Sequence, residues 1–274
     1  SDPKASRFQN KYNYLDHEAP LGPKVWSRRA LLFVKPHYLV LLDDVDGETP
    51  TRFNLHCVAD RVRVRGRRID FTGRFGVNLS AFVIAPGAFS TETGRHAPER
   101  GEVDHSQRFV RVQTEGANHY HTVLCPWRNG ETVSCEQLAD GVGVAVTSPC
   151  GLDRVWLART PRTCTGPDYA FTGRAGFVRE TGQRTALHLL RGRYLAAGGL
   201  AVEGSGPVHV EPKSRNRLLV RTTSPARQVR ITDSSAKRKV SDRSDAIRVR
   251  QQGAAVVLDV EPGEQSAVLA RGRS

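Results

Sequence analysis

Two histidines in "NHYHTVLCPW", His119 and His121, stand two residues apart in a run of strand-forming residues. A strand sets both imidazoles on one face, a geometry that holds a metal ion when a third ligand arrives from elsewhere, and with Tyr120 it offers acid and base groups. Pro126 and Trp127 mark the strand's end against a wall, which favours packing over ligation. In "DRVRVRGRRIDFTG", residues 60–73, Arg61, Arg63 and Arg65 alternate with Val62 and Val64. Three readings are open for this stretch: a nucleic-acid grip, a handle for an acidic substrate, or the solvated side of a strand. His56 lies between Leu55 and Cys57 and faces opposite to them, as a structural or groove-lining hydrogen-bonding group. Asp43, Asp44 and Asp46 before Gly47 look like a calcium loop but lack the glutamate at its twelfth position and the flanking helices, so a strand turn is expected. "TGRFG" at 72–76 and "TGRAG" at 172–176 do not join a strand to a helix as a phosphate loop must, and read as turns or bulges with an exposed Arg.

Strands have to position these residues. Short runs rich in Val, Leu and Phe end at Gly, Pro, Asp or Asn about every ten residues, and helix signals are almost missing. "ALLFVKPHYLVLLDDVDG" reads as two strands broken near Pro36, and "VRVRG" followed by "RRIDFTG" reads as a hairpin turning at Gly66. Alternation then sends Arg61, Arg63 and Arg65 to one face and Val62 and Val64 to the other. The expected fold is all-β, a large antiparallel β-sandwich over residues 1–205 followed by a small C-terminal β-sandwich over 206–274, the boundary marked by the Gly- and Pro-rich "EGSGPVHVEP".

The 274 residues carry a formal charge of +13 and are 38% apolar, enough for a core and for attraction to polyanions. Of the 41 cations 34 are Arg, which forks onto carboxylate, sulfate and phosphate where Lys is a point charge; the same bias suits the coding of a high-GC genome. Residues 206–274 hold 14 basic and 7 acidic side chains, a disproportionate share of the excess, and their polar loop "SSAKRKVSDRSD" reads as solvated. Neither aromatics interleaved with the cations nor a reading helix is found, which argues against nucleic acid. No run of about 18 apolar residues is available for a membrane helix. No Met occurs, so the chain reads as a processed product or a piece of a longer protein. Cys57, Cys125, Cys135, Cys150 and Cys164 lack zinc-ribbon spacing; Cys125 with Cys135, or Cys150 with Cys164, could bridge hairpin arms, and free thiols fit equally.

From "WSRRALLFVKPHYLVLLDDVDG" through "RFNLHCVAD" and "GRRIDFTGRFGVNLSAFVIAP", and again at "ALHLLRGRYLAAGGLAVEG", the chain resembles the β-sandwich region of heparinase II/III-like polysaccharide lyases. There an apolar strand ends in Asp, a short strand carries His (here "NLH", 54–56), and a hairpin precedes an apolar strand ending in Pro. The resemblance spans about residues 12–205 and rests on the order of elements.

The resemblance implies an (α/α) toroid followed by the sandwich, and cleavage of uronate-containing polysaccharide by β-elimination. That reaction requires the uronate carboxylate to be neutralised, a base to take the C5 proton and an acid to protonate the departing glycosidic oxygen. The family draws these groups from the toroid and from an early His-x-His-x-Asp-x-Gly segment that can also hold a structural metal. Neither is in this sequence, so no catalytic residue, metal or cofactor is assigned to it. His56, Arg61, Arg63, Arg65, His119 and His121 are the candidate substrate-binding residues. The expected partners are an anionic polysaccharide and the toroid, with no nucleic acid and no membrane, in the periplasm or outside the cell. Two functions follow: the sandwich portion of a lyase, inactive by itself, or a noncatalytic carbohydrate-binding or assembly module using the Arg face.

Overall fold

A computed structural model describes residues 12–22, 25–46, 51–73, 76–85, 89–95, 107–114, 119–182, 184–214, 216–222, 228–234, 238–261 and 263–271. These form antiparallel strands, and among the described residues there is no helix. The fold is all-β. None of its elements is a helix long and apolar enough to cross a membrane. The chain divides into two compact units, 1–135 and 136–274.

The first unit packs a seven-stranded sheet on a three-stranded one. Across the larger sheet the order is Tyr12–Gly22, Val25–Val34, Tyr38–Asp46, His119–Arg128, Val77–Ile84, Arg68–Thr72 and Arg61–Arg65, which places the last strand at an edge. The smaller sheet comprises Arg52–Val58, Gln107–Thr114 and Phe89–Arg95. Ile69, Phe71, Ala81, Val83 and Tyr120 of the larger sheet meet Phe53, Val110 and Val112 of the smaller in a shared core. The break near Pro36 is a tight turn, with His37 N–H donating to Val34 C=O at 2.8 Å. Asp43, Asp44 and Asp46 sit in the strand that follows, not in a turn, and Gly47 lies outside the described residues. At Gly66 the φ of 55° suits the two-residue hairpin turn that pairs Arg65 with Arg68.

The second unit is built on a 13-stranded sheet that folds over itself. One layer continues from Leu200–Gly204 through Gln228–Asp233 and Ala255–Val260 to the terminal strand Ile247–Gln252; the other contains Val208–Ser214, Arg217–Thr222, Gln265–Arg271 and Arg238–Arg243. Val202, Val229, Ile231 and Leu258 from the first layer and Val208, Val210, Leu218, Val220 and Leu269 from the second share one core with Trp156, Phe171 and Leu195. The Gly- and Pro-rich segment near 205, read above as a boundary, is a turn within this unit: Leu200 pairs with Asp233, and His188 pairs across to His209. "TGRAG" lies inside the strand Tyr169–Thr181, where register shifts between Thr172 and Gly176 mark bulges, and Arg174 is half-buried, not exposed. A Cβ on Gly173 would fall 2.5 Å from Gly192 Cα, so two backbones meet there too closely for any side chain. Arg74 and Phe75 of "TGRFG" lie outside the described residues. All five thiols are free, and neither hairpin disulfide forms.

Candidate functional site

The predicted residues separate into three places. His119 and His121 share a face of the seven-stranded sheet and join a polar cluster supplied by the three strands beside them. His119 pairs in register with Asp44, and Asp44 with Arg28. Arg28 is 6% exposed and donates from Nε to Asp16 Oδ1 at 2.7 Å and from Nη2 to Asp16 Oδ2 at 2.6 Å, a bidentate fork that uses both oxygens. Tyr14 OH also donates to Asp16 Oδ2, at 3.3 Å. His119 Nδ1 is 3.9 Å from Asp44 Oδ1, and its side chain, 44% exposed, is the most open group of the cluster. His121 is buried and its Nε2 has no hydrogen-bond partner. Burial, reinforced by His119, lowers its pKa to about 4, so the imidazole is neutral at neutral pH. Tyr120 points to the other face and donates its OH to Thr51 C=O at 2.7 Å.

This cluster cannot perform β-elimination by itself. Arg28 is already neutralised by Asp16, leaving no free fork for a uronate carboxylate. An imidazole with a pKa near 4 is a weak base for a carbon acid. Among the described residues, no group of three His, Cys, Asp or Glu is arranged to hold a metal ion.

Arg61, Arg63 and Arg65 lie three strands across the same sheet from the histidines, all exposed on the edge strand. Val62 and Val64 face inward and pack against the first unit's core, as the alternation requires. Arg63 stands opposite Asp70 in register, but Asp70 Oδ1 accepts from Arg68 Nε at 2.7 Å and from Ser80 Oγ at 2.6 Å. The nearest carboxylate is therefore occupied, and the three guanidinium groups face solvent without an ion-pair partner among the described residues.

His56 is on the three-stranded sheet, exposed, with its ring 6.0 Å from that of Phe109 opposite it. Leu55 and Cys57 turn inward to the core. The sequence reading missed Asp16 and Arg28. The signal for Arg28 was its parity: it shares a face with Ala30, Leu32 and Val34, all buried, and an arginine in an inward register requires a buried anion.

Two polar clusters in the second unit are structural. Asp140 accepts from Val142 N–H at 2.8 Å, Gly143 N–H at 2.7 Å, Trp156 Nε1 at 2.9 Å and Tyr169 OH at 3.2 Å. Although burial opposes its charge, these bonds hold the carboxyl below its usual pKa. Burial beside Asp140 pushes the Tyr169 phenol up to about 12 and the Cys164 thiol up to about 11, so both stay protonated. The buried His188 and His209 place their Nδ1 atoms 3.1 Å apart, so one ring must donate and the other accept. Phe177 stacks on His188 at 4.1 Å, and burial followed by the charge of Arg221 lowers His209 to about 3.

The sequence matches no family model and none of the curated proteins. Among solved structures it is similar to a Streptomyces coelicolor A3 chondroitin AC lyase in complex with chondroitin sulphate, at 14% identity and a TM-score of 0.46 over 98% of this chain and 36% of that one. The chain is similar to polysaccharide lyases. Heparan sulfate lyase HepC from Pedobacter heparinus matches at 15% identity and a TM-score of 0.44, over 57% of this chain and 27% of its own. Heparinase III matches at 19% identity and a TM-score of 0.42, over 55% and 26%. The chain thus spans between about a quarter and just over a third of the length of these lyases.

Proposed function

We propose that this chain is the β-sandwich portion of a heparinase II/III-like polysaccharide lyase that cleaves uronate-containing anionic polysaccharide by β-elimination. In this reading it forms one wall of the substrate cleft in the periplasm or outside the cell, while base and acid come from a helical toroid upstream. The observation that carries the reading is the row of three open guanidinium groups at 61, 63 and 65, whose opposing carboxylate is occupied by Arg68 and Ser80. A row of forks at alternate strand positions suits a polymer with repeated carboxylate or sulfate groups. The buried, neutral His121 and the neutralised Arg28 support placing the chemistry elsewhere.

The test is ultraviolet absorbance of the unsaturated uronate product from heparan sulfate, chondroitin sulfate and alginate. Product is expected from the protein expressed with its upstream region and not from this chain by itself. A signal from the pure chain that His119→Ala abolishes would move catalysis here. Polymer binding by a full-length protein that lacks the toroid and never yields product would support the noncatalytic module, which the same open Arg row also favours.

A further inference from the structure

Trp127 lies near the end of the strand His119–Arg128, half-buried, and donates its indole Nε1 hydrogen to Ser80 Oγ at 2.9 Å. Ser80 donates to Asp70, and Arg68 donates from Nη2 to Ser80 Oγ at 3.2 Å. These bonds cross three neighbouring strands, fix the orientation of the indole and occupy the carboxylate opposite Arg63 in one network.

Register places the indole on the arginine face. Arg61 pairs with Thr72, Asp70 with Ser80 and Asn78 with Trp127. Since alternate residues share a face, Arg61, Arg63, Arg65, Thr72, Asn78 and Trp127 all lie on one side of the sheet. Three interstrand spacings, about 14 Å, separate the indole's strand from the arginine edge, a span suited to a short oligosaccharide.

The geometry points to Trp127 as a stacking platform for a sugar ring of the acidic polysaccharide whose anionic groups pair with Arg61, Arg63 and Arg65. The naming of that polymer rests on the function proposed above; the surface can bind it whether or not the protein cleaves it. A pyranose ring presents polarised C–H bonds from one face, and an aromatic π-face is the complementary surface. Exposed cations attract any polyanion weakly and lose strength with salt. A fixed indole adds a preference for a ring that charge alone cannot supply. Single-stranded nucleic acid also combines stacking with phosphate, but sequence-tolerant strand binding uses several aromatics for successive bases, and this face offers one indole beside its cations.

The test is titration of the chain with size-defined heparan sulfate and chondroitin sulfate oligosaccharides, with inorganic polyphosphate and single-stranded DNA in parallel. Trp127→Ala is expected to weaken oligosaccharide binding about tenfold while leaving polyphosphate binding within about twofold, and Arg61, Arg63 and Arg65 changed together to Ala should weaken both. Trp127→Phe, which keeps a π-face and loses the Ser80 bond, should retain most of the affinity; this variant and circular dichroism separate stacking from misfolding. Unchanged oligosaccharide binding in a folded Trp127→Ala variant overturns the proposal. So does equal loss of saccharide and polyphosphate, or DNA binding that matches saccharide and depends equally on Trp127. Binding of this kind with no unsaturated product from the full-length protein would sink the lyase reading and leave the platform standing.

Discussion

Two edge strands carry nearly the same local sequence and meet different fates. Arg61–Arg65 ends the seven-stranded sheet, and Ile247–Gln252, with Arg248-Val249-Arg250 inside it, ends the main run of the sheet in the second unit. In both, arginine faces solvent while a half-buried valine packs inward. The difference lies on the neighbouring strand. Arg250 forks onto Asp259, with bonds of 2.9 and 2.8 Å, and Gln228 donates to the same carboxylate, whose pKa those bonds lower. Asp70 holds the comparable place beside Arg63 but is taken by Arg68 and Ser80. A stretch of Arg-Val-Arg is therefore no measure of available charge. The cross-strand partner decides whether its cations are internal or offered to a ligand.

The largest effects should come from the inward sides, where the strands are alike. Val64→Asp and Val249→Asp each place a charge against a core and should cost several kcal/mol or unfold the unit, seen as lost melting cooperativity. Unchanged melting of Val64→Asp would show that the register of the arginine edge is wrong, and the comparison would fail.

Acid should act next, on both units. His121 in the first and His209 in the second have folded pKa values of about 4 and about 3, below the ordinary 6.5. The unfolded chain binds these protons more readily, so the stabilisation is complete above about pH 6.5 and is lost as pH falls toward those folded values. For His121 the loss is on the order of 3 kcal/mol. Urea unfolding at pH 7 and pH 4.5 should show it, and His121→Gln should flatten the pH dependence of the first unit.

Smaller changes sharpen the contrast between the edges. Asp259→Asn should release Arg250 and raise retention on a sulfated resin more than Glu261→Gln, which removes the same charge from an exposed position. Equal increases would reduce both to net charge. Arg63→Ala, on an open edge, should change stability by less than ~0.5 kcal/mol.

The edge at 61–65 was legible because period-two alternation gives faces directly, and Gly66 signals the turn. What lay opposite was not, because pairing is long-range: nothing near residue 28 announces Asp16 as its partner, and nothing near residue 63 shows that Asp70 is occupied. The Asp140 cluster gathers residues from 140 to 169, and the paired His188 and His209 come together only through strand register. The chain's division near residue 135 has no Gly- or Pro-rich marker, whereas the marked segment near 205 is a turn within a sheet. Composition records where the backbone turns, while packing decides which turns separate units.

The central claim is that position, and not the overall +13, makes the arginine edge a polyanion contact. The direct measurement is retention of two charge-matched triple variants on immobilised heparin across a salt gradient, one with Arg61, Arg63 and Arg65 changed to Ala, the other with Arg230, Arg248 and Arg250 changed to Ala. The account predicts a clear fall in eluting salt for the first and a small change for the second, with both still folded. Equal falls would contradict it and leave only a basic protein on an acidic resin.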